Sequence, residues 1–258
     1  MARIFITGSA DGLGQRAAQL LIASGHEVTL HARNRERARQ AIEAAPGARD
    51  ALIGDLSSIA ETRALAEQAN AAGPFDAVIH NAGVGYRGPR TETVDGLESI
   101  FAINVLAPYL LTALIERPHR LIYLSSGMHR GGDSDLTDLQ WRNRPWDGAQ
   151  AYSDSKLFDV VLAFAVARLW PGALSNAVDP GWVATKMGGL GAPGDITQGA
   201  ETQVWLAVSD DPRALVSGRY FHHEQIRDAH PAASNVNVQN GLLRACEELA
   251  GATLASER

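Results

Sequence analysis

The chain has 258 residues, of which 45% are hydrophobic, and its formal net charge at pH 7 is −6. A chain of this length and composition can bury one sizeable core, so we expect one domain over residues 1–258. The modest acidic charge argues against nucleic acid as a partner. The single cysteine, Cys246, excludes an intramolecular disulfide and fits a reducing compartment.

The sequence contains no stretch suited to a signal peptide or a membrane span. Strand-like residues begin almost at the first position, which leaves no room for a leader. The most apolar stretch, residues 157–170, is interrupted by Asp159 and Arg168 and is too short to cross a bilayer. We therefore expect a soluble, cytoplasmic protein without a membrane partner.

Strand-like runs alternate along the chain with segments rich in Ala and Leu. In chain order the runs cover residues 3–7, 27–31, 50–53, 77–80, 120–124 and 174–178, with a seventh expected at 218–222. This alternation predicts an α/β fold of the Rossmann type, a doubly wound parallel sheet of about seven strands with helices on both faces. Ligands of such sheets bind beyond the carboxyl ends of the strands.

Two segments interrupt this rhythm and are predicted to be loops. Residues 127–150 show no clean period, and residues 186–198 are rich in Gly and Pro. Each segment follows a strand, so both should lie at the ligand-binding edge of the sheet. We expect them to be substrate loops.

The first strand is followed by a turn that contains Gly8, Gly12 and Gly14, and then by a helical segment that ends at Gly25. Glycines at a strand-to-helix turn allow the backbone to approach a pyrophosphate, which then binds the N–H groups at the helix start. The alternative is a glycine-rich turn that binds nothing. The second strand, at residues 27–31, completes a βαβ unit and favours the phosphate site.

Tyr152 and Lys156 are four residues apart at the start of a long apolar segment. On a helix this spacing places the phenol and the ammonium on one face. The reference pKa of a phenol is about 10, and a nearby cation favours the phenolate, which prepares it for acid–base catalysis. A chance pair on a solvated helix is the alternative, and the glycine turn argues against it.

Taken together, these motifs resemble those of the short-chain dehydrogenase/reductase family, in its single-domain branch. The matching residues are Thr7, Gly8, Gly12, Gly14, Asn81, Ala82, Gly83, Asn104, Ser125, Ser126, Tyr152, Lys156, Asp179, Pro180 and Gly181. The resemblance runs from residue 3 to about residue 221. The text at 121–129 is most similar to retinol-dehydrogenase and protochlorophyllide-reductase-like members, which act on varied carbonyls and alcohols.

The resemblance implies an oxidoreductase that transfers a hydride between a nicotinamide and a carbonyl or alcohol, with Tyr152 as general acid/base. Ser126 would hydrogen-bond the substrate oxygen, and Ser125 is the alternative for that role. Lys156 would bind the nicotinamide ribose and stabilise the tyrosinate. Asn104 would hold a water that leads to Lys156, although a buried amide can equally be satisfied by nearby backbone.

The residues after the second strand favour NADP(H) over NAD(H). No acid occurs there before Glu36, and the planar guanidinium of Arg33 suits a 2′-phosphate. A solvated arginine is the alternative, and Asp11 stands where many NADP members carry a base. The resemblance extends the cofactor-binding set, beyond the glycines, Arg33, Tyr152 and Lys156, to Ser9, Leu13, Asn34, Asp55, Leu56, Asn81, Ala82, Gly83, Pro180, Gly181, Val183 and Thr185.

The interval between Ser126 and Tyr152 is longer than in common family members. We expect this added segment, 127–150, to line the substrate pocket, with Trp141 or Trp146 shielding the nicotinamide side from water. The alternative is a surface excursion whose tryptophans dock on the protein's own flank.

Two further expectations concern metals and copies of the chain. His222 and His223 are adjacent and point to opposite faces of a strand, so we expect no metal site. The segments 105–115 and 157–167 are apolar on more than one face and must be buried. Family members bury these helices against a partner copy, which implies a homodimer or homotetramer; the alternative is a monomer that covers them internally.

Two other functions compete with the reductase. One is a regulatory protein that senses the cofactor and has lost catalysis, against which the intact Tyr152 and Lys156 pair argues. The other is a related enzyme that acts on C=C bonds with the same cofactor. The sequence does not identify the substrate.

Overall fold

The computed structural model describes residues 1–189 and 191–255, which form one central sheet flanked by helices. The strands are β1 (Arg3–Ile6), β2 (Glu27–Ala32), β3 (Asp50–Ile53), β4 (Ala77–His80), β5 (Arg120–Leu124), β6 (Leu174–Asp179), β7 (Tyr220–His222) and β8 (Gln225–Arg227). Their order across the sheet is β3-β2-β1-β4-β5-β6-β7-β8. The first seven are parallel, and β8 pairs with β7 antiparallel. The predicted doubly wound parallel sheet is confirmed.

Helices connect the parallel strands β1 to β7 in turn and cover both faces of the sheet. They are α1 (Gly12–Ala23), α2 (Arg35–Ala44), α3 (Ile59–Ala72), α4 (Ser99–Phe101), α5 (Ala107–Leu114), α6 (Gly148–Leu169), α7 (Ile196–Val208) and α8 (Val236–Ala250). A π-helical turn, Ala102–Leu106, joins α4 to α5. Side chains of α1, α2 and α7 form the core on one face, and those of α3, α5 and α6 form it on the other.

Polar side chains fix where several helices begin. Asn34, Ser58, Asp147, Asp195 and Asn235 each accept a hydrogen bond from a backbone N–H in the first turn of the helix that follows. These residue types are the preferred helix N-caps because they pair N–H groups that have no partner within the helix. The start of α6, which carries Tyr152 and Lys156, is therefore set by Asp147.

The structure corrects both predicted loops at their ends. Residues 127–150 begin with a 3₁₀ turn, Gly127–Gly131, and end inside the first turn of α6. Residues 186–198 end inside α7, because the Asp195 cap starts that helix at Ile196. Leu190 lies outside the described residues. Between these ends the described residues of both segments are irregular, as predicted.

The seventh strand is shorter than predicted, and an eighth was missed. β7 starts at Tyr220 because Gly218, with φ +67°, belongs to the preceding turn. All three residues of β8 are exposed, so it carries no alternating apolar pattern. The turn into β8 uses His223 and Glu224 with φ +49° and +57°, where Gly, Asn or Asp is the usual signal.

The apolar faces of α5 and α6 are covered within the chain. Leu242 and Cys246 of α8 are fully buried in the same core cluster as α6. Tyr109 of α5 donates a hydrogen bond to the carbonyl oxygen of Ala252 at 2.7 Å, and Trp170 donates one to that of Ala255 at 2.6 Å. The internal cover that the sequence left open as an alternative is therefore present.

None of the helices in residues 1–189 and 191–255 combines the length and apolarity needed to cross a bilayer.

Candidate active site

The turn after β1 is crowded by neighbouring backbone. Gly8 has φ +63°, and a β-carbon there would lie 2.7 Å from Cα of Ala82. A β-carbon on Gly14 would lie 2.6 Å from the carbonyl oxygen of Gly8. Both positions therefore require glycine. α1 begins at Gly12, so its first N–H groups lie at the carboxyl edge of the sheet, where a phosphate is favoured.

A buried histidine of β2 fixes this turn. Nδ1 of His31 accepts a hydrogen bond from the N–H of Gly8 at 2.9 Å, and Nε2 lies 2.8 Å from the carbonyl oxygen of Gly54. Nε2 must therefore carry the ring proton. Burial lowers the pKa of His31, which keeps the ring neutral in this tautomer. Ser9 also stabilises the turn, because its Oγ donates to the carbonyl of Ile6 and accepts from the N–H of His31.

Asn81 links the glycine turn to the end of β4. Its Nδ2 donates to the carbonyl oxygens of Thr7 and Gly8 at 3.0 and 3.1 Å. The hydroxyl of Thr7 accepts from the N–H groups of Asn81 and Ala82. Oδ1 of Asn81 is buried and has no hydrogen-bond partner within residues 1–189 and 191–255. Buried polar atoms are normally paired, so this oxygen fits a donor group on a ligand bound at the turn.

The residues after β2 form a basic rim. Arg33 is exposed, and no hydrogen bond or ion pair holds its side chain in the described part of the chain. Asn34 instead caps α2, with Oδ1 accepting from the N–H of Arg37. Asp11, the acid expected to weaken a phosphate site, is paired with Arg37 at 2.6 Å and Lys186 at 3.0 Å. Cations therefore outnumber acids in this group.

The end of β3 supplies Asp55 and Leu56. Oδ1 of Asp55 accepts hydrogen bonds from the N–H and the hydroxyl of Ser57 at 2.9 and 2.8 Å. Leu56 is buried. Both residues lie at the same edge of the sheet as the glycine turn, because β3 is parallel to β2.

Tyr152 and Lys156 lie in the first half of α6 and are only 8% and 5% exposed. Nζ of Lys156 is 5.7 Å from the centre of the Tyr152 ring. It donates to the carbonyl oxygen of Leu124 at 2.9 Å and to Oδ2 of Asp159 at 2.7 Å. The predicted pair therefore shares one face of the helix, and a third, unpredicted residue joins it.

Burial and neighbouring charges both shift the pKa values of the groups in this cluster. Burial raises the pKa of Tyr152, the ammonium of Lys156 lowers it, and the carboxylate of Asp159 raises it again. Burial alone would lower the pKa of Lys156, but Asp159 reverses this, and the pKa of Lys156 is raised. Burial raises the pKa of Asp159 to about 6 although Lys156 opposes the change. Near pH 7 Lys156 is therefore an ammonium and Asp159 mainly a carboxylate.

The two serines after β5 point in different directions. Oγ of Ser125 is buried and donates to the carbonyl oxygen of Lys156 at 2.7 Å. Oγ of Ser126 accepts from the N–H of Met128, and the Ser126 side chain lowers the pKa of Tyr152. Of the two serines, Ser126 is therefore the one whose side chain influences the phenol of Tyr152.

Asn104 lies in the π-helical turn and bonds to backbone. Its Oδ1 accepts from the N–H of Val84 at 2.8 Å, and its Nδ2 donates to the carbonyl of Val84 and to Oγ of Ser155. A β-carbon on Gly83 would lie 3.3 Å from Oδ1 of Asn104 and 3.6 Å from Nζ of Lys156. The amide of Asn104 and the ammonium of Lys156 therefore both lie close to Gly83.

The chain after β6 folds back over the glycine turn. Pro180 follows β6 directly, and Oδ1 of Asp179 accepts from the N–H of Gly181, whose φ is +81°. Val183 is buried. A β-carbon on Gly12 would lie 3.7 Å from the methyl group of Thr185, so this segment lies against the start of α1. Leu13 of α1 packs beside it, in the core cluster below the turn.

The combined arrangement has known counterparts. A family model described as short chain dehydrogenase matches residues 2–128. Short-chain dehydrogenase chyC of Penicillium rubens is 44% identical over 257 residues, which cover 98% of this chain and 99% of that protein. The chain belongs to the short-chain dehydrogenase/reductase family. It is an NAD(P)-dependent oxidoreductase.

Two further comparisons support the family and its fold. Retinol dehydrogenase 14 of Mus musculus is 30% identical over 288 residues, which cover 96% of this chain and 85% of that protein. The crystal structure of an uncharacterized protein from Mycobacterium paratuberculosis has a TM-score of 0.86 at 25% identity, covering 98% of this chain and 95% of that one. The family resemblance inferred from the motifs is confirmed.

Four residues of this family member that sequence reasoning did not assign also shape the site. His31 and Asp159 hold the turn and the lysine, as described above. Sδ of Met187 is 3.9 Å from the hydroxyl of Tyr152, and the ring of Tyr86 is 5.4 Å from the Tyr152 ring. A signal existed only for Asp159, because i,i+3 residues are neighbours on a helix.

The two tryptophans of the long segment have different surroundings. Trp141 is 6% exposed, packs against Ile100 and Ala151, and lies 3.6 Å below the guanidinium of Arg144. Trp146 is half-buried, and its Nε1 donates to the carbonyl oxygen of Gly88 at 3.1 Å. Trp141 thus docks on the flank of the protein, whereas Trp146 contacts the loop that carries Tyr86.

Among residues 1–189 and 191–255, no three His, Cys, Asp or Glu side chains are grouped in a way that would hold a metal ion.

Proposed function

We propose that the protein is an NADP(H)-dependent reductase of ketones or aldehydes, acting in reverse on alcohols, with Tyr152 as general acid/base. The observation that carries the proposal is the buried phenol of Tyr152, with the ammonium of Lys156 5.7 Å from its ring centre and the Ser126 side chain lowering its pKa. Such a group can bind a carbonyl oxygen and deliver a proton to it.

The reaction divides between cofactor and protein. When bound, a reduced nicotinamide supplies a hydride to the carbonyl carbon. Tyr152 gives its proton to the carbonyl oxygen, so that the alcohol gains one hydride and one proton in total. Ser126 donates a hydrogen bond to the same oxygen and holds it at the phenol. The ammonium of Lys156 stabilises the tyrosinate that remains.

Reprotonation of Tyr152 needs a route to water. Lys156 uses two of its three N–H groups on Leu124 and Asp159, so one remains for a ribose hydroxyl or a water. Oδ1 of Asn104 accepts one hydrogen bond from Val84 and can accept a second. Since both groups lie close to Gly83, a water between them would complete the relay. The backbone bonds of Asn104 are compatible with this role.

The residues around the glycine turn fit a dinucleotide. Gly8, Ser9, Gly12, Leu13 and Gly14 would hold its pyrophosphate through backbone N–H groups, since the side chains of Ser9 and Leu13 face the protein interior. The unpaired Oδ1 of Asn81 would accept from a ribose hydroxyl. The remaining contacts we propose are those of Asn34, Asp55, Leu56, Ala82, Gly83, Pro180, Gly181, Val183 and Thr185.

The proposal is tested by measuring NADPH oxidation against a panel of ketones, aldehydes and enones. Turnover of ketones or aldehydes supports it. Turnover of enones at the C=C bond alone would assign the protein to the alternative enzyme class. NADPH binding without turnover of any carbonyl would favour a protein that only senses the cofactor.

We predict that NADPH binds more tightly than NADH and that Arg33 is the main cause. One charge-assisted contact to phosphate contributes about 1.5–3 kcal/mol, so Arg33→Asp should weaken NADPH binding by roughly 10- to 150-fold and spare NADH. Arg35→Asp is the matched control, because it reverses a second exposed charge at the start of α2. Equal affinities of the wild type for both cofactors, measured by fluorescence titration, would show the arginine assignment to be wrong.

We predict separate effects for the two tryptophans, with segment 127–150 as part of the substrate pocket. Trp141→Ala removes a buried indole and should reduce the free energy of unfolding by about 3–5 kcal/mol. Trp146→Ala should change KM for a confirmed substrate several-fold while leaving stability nearly unchanged. Urea unfolding and steady-state kinetics of both variants measure this. If Trp146→Ala retains wild-type constants, the segment is packing only.

Three expectations from the sequence stay predictions. The single-domain organisation is supported by the membership of all eight strands in one sheet. The cytoplasmic location rests on composition. A homodimer or homotetramer remains predicted from the family, but α8 covers α6 in this chain, so a partner copy would have to dock on α8 or elsewhere.

A further inference from the structure

The buried acid Asp159 has no role in the reaction described above, yet it contacts a catalytic group. It is 2% exposed, and its Oδ2 lies 2.7 Å from Nζ of Lys156. The carboxylate of Asp159 and the carbonyl oxygen of Leu124 both accept hydrogen bonds from the ammonium and so hold it in position. Burying a carboxylate is unfavourable unless it is paired, so this residue is tied to the lysine by its position.

Asp159 also changes the charge that Tyr152 experiences. A lone ammonium beside a phenol would favour the tyrosinate, but here a carboxylate one helical turn further on offsets it. The other titratable groups facing these residues are Asp179 after β6, Tyr86 on the loop after β4, and Tyr123 on β5. Asp179 adds a second negative charge, so within residues 1–189 and 191–255 two acids, Asp159 and Asp179, oppose the effect of Lys156 on the phenol.

We propose that Asp159 is a positioning residue that anchors Lys156 and, by offsetting its charge, keeps Tyr152 protonated from neutral to alkaline pH. This inference rests on the proposed function, because it assigns Tyr152 the role of proton donor. Carbonyl reduction needs the protonated phenol, so its rate falls as the pH rises through the point where Tyr152 ionises. With Asp159 present, the rate of reduction should fall only at alkaline pH.

The wild-type enzyme gives the first test. With NADPH and a confirmed carbonyl substrate, kcat for reduction should stay nearly constant from about pH 6 to about pH 9, because an ordinary phenol ionises near pH 10 and burial delays this further. A fall in kcat with a midpoint near pH 7 would overturn the proposal. This measurement needs no variant.

The second test removes the charge and keeps the shape. Asp159→Asn retains an oxygen that accepts from Nζ of Lys156, but the carboxylate is gone. The midpoint of the alkaline fall should then move to lower pH by roughly one unit. Asp159→Glu keeps the charge and should return the midpoint to the wild-type value. An Asn variant that is active with an unshifted midpoint overturns the proposal.

Asp154→Asn is the matched control. Asp154 is a second buried acid of α6, only 4% exposed, and it is paired with Arg144 at 3.0 Å instead of Lys156. The alkaline fall in kcat of Asp154→Asn should have the same midpoint as that of the wild type. An equal shift of the midpoint in both Asn variants would show a general effect of removing a buried charge and would overturn the proposal. Failure of the proposed function looks different, since the wild type would then reduce no carbonyl at any pH.

Discussion

Replacing Tyr152 by Phe should lower kcat for carbonyl reduction by about 10²–10⁴-fold, the usual contribution of a general acid. The ring occupies a buried position beside Tyr86 and Met187, and Phe fills the same space. The variant loses only the hydroxyl that carries the proton. Folding and NADPH affinity should therefore stay close to those of the wild type.

The experiment compares kcat and the NADPH dissociation constant for both proteins. Tyr109→Phe is a suitable control because it removes another buried hydroxyl, which donates to the carbonyl oxygen of Ala252 after α8. This control should turn over at the wild-type rate. A Tyr152→Phe enzyme within threefold of the wild-type rate would contradict the assignment of the proton donor.

The parts of this fold that the sequence predicts are those set by local pattern. The predicted bounds of six strands agree with the structure to within one residue and those of the seventh to within two, because buried parallel strands are short, apolar and separated by helices. β8 was missed because its residues are exposed and its turn uses His223 and Glu224. A pattern of buried residues cannot report an element that is not buried.

Within the candidate site, local sequence motifs were predictable, whereas contacts between residues distant in sequence were not. The glycine turn and the Tyr152–Lys156 spacing are local motifs, and the family membership they indicated is confirmed. The role of His31 is not visible in the sequence, because its ring bonds to Gly8 and Gly54, which are distant from it along the chain. In the sequence, Asp159 stands out only as an interruption of an apolar run. Its pairing with Lys156 depends on burial, which the spacing alone does not give.

The expectation of a partner subunit illustrates a third limit. A helix that is apolar all round indicates burial but does not identify what covers it. In this chain the cover includes α8, whose Leu242 and Cys246 lie against α6, some 80 residues later in sequence. The sequence therefore predicts that these helices are buried, but it does not distinguish burial within the chain from burial against a partner copy.

Replacing Lys156 by Met should abolish turnover and also destabilise the protein. Removing one partner of a buried ion pair leaves the other charge uncompensated, which costs about 3–5 kcal/mol. Asp159, at 2% exposure, has no water to solvate it once the ammonium is gone. Urea unfolding should therefore show a clear drop in the midpoint, alongside the loss of kcat.

A double variant separates the structural effect from the catalytic one. In Lys156→Met/Asp159→Leu both charges are replaced by apolar groups of similar volume, and such replacements of buried pairs are often neutral or stabilising. Stability should recover most of the loss seen in Lys156→Met, whereas activity should not recover, because no cation remains to stabilise the tyrosinate of Tyr152. If activity returned together with stability, Lys156 would be a structural residue. If Lys156→Met unfolded at the same urea concentration as the wild type, the ion pair with Asp159 would not contribute to the stability of the protein.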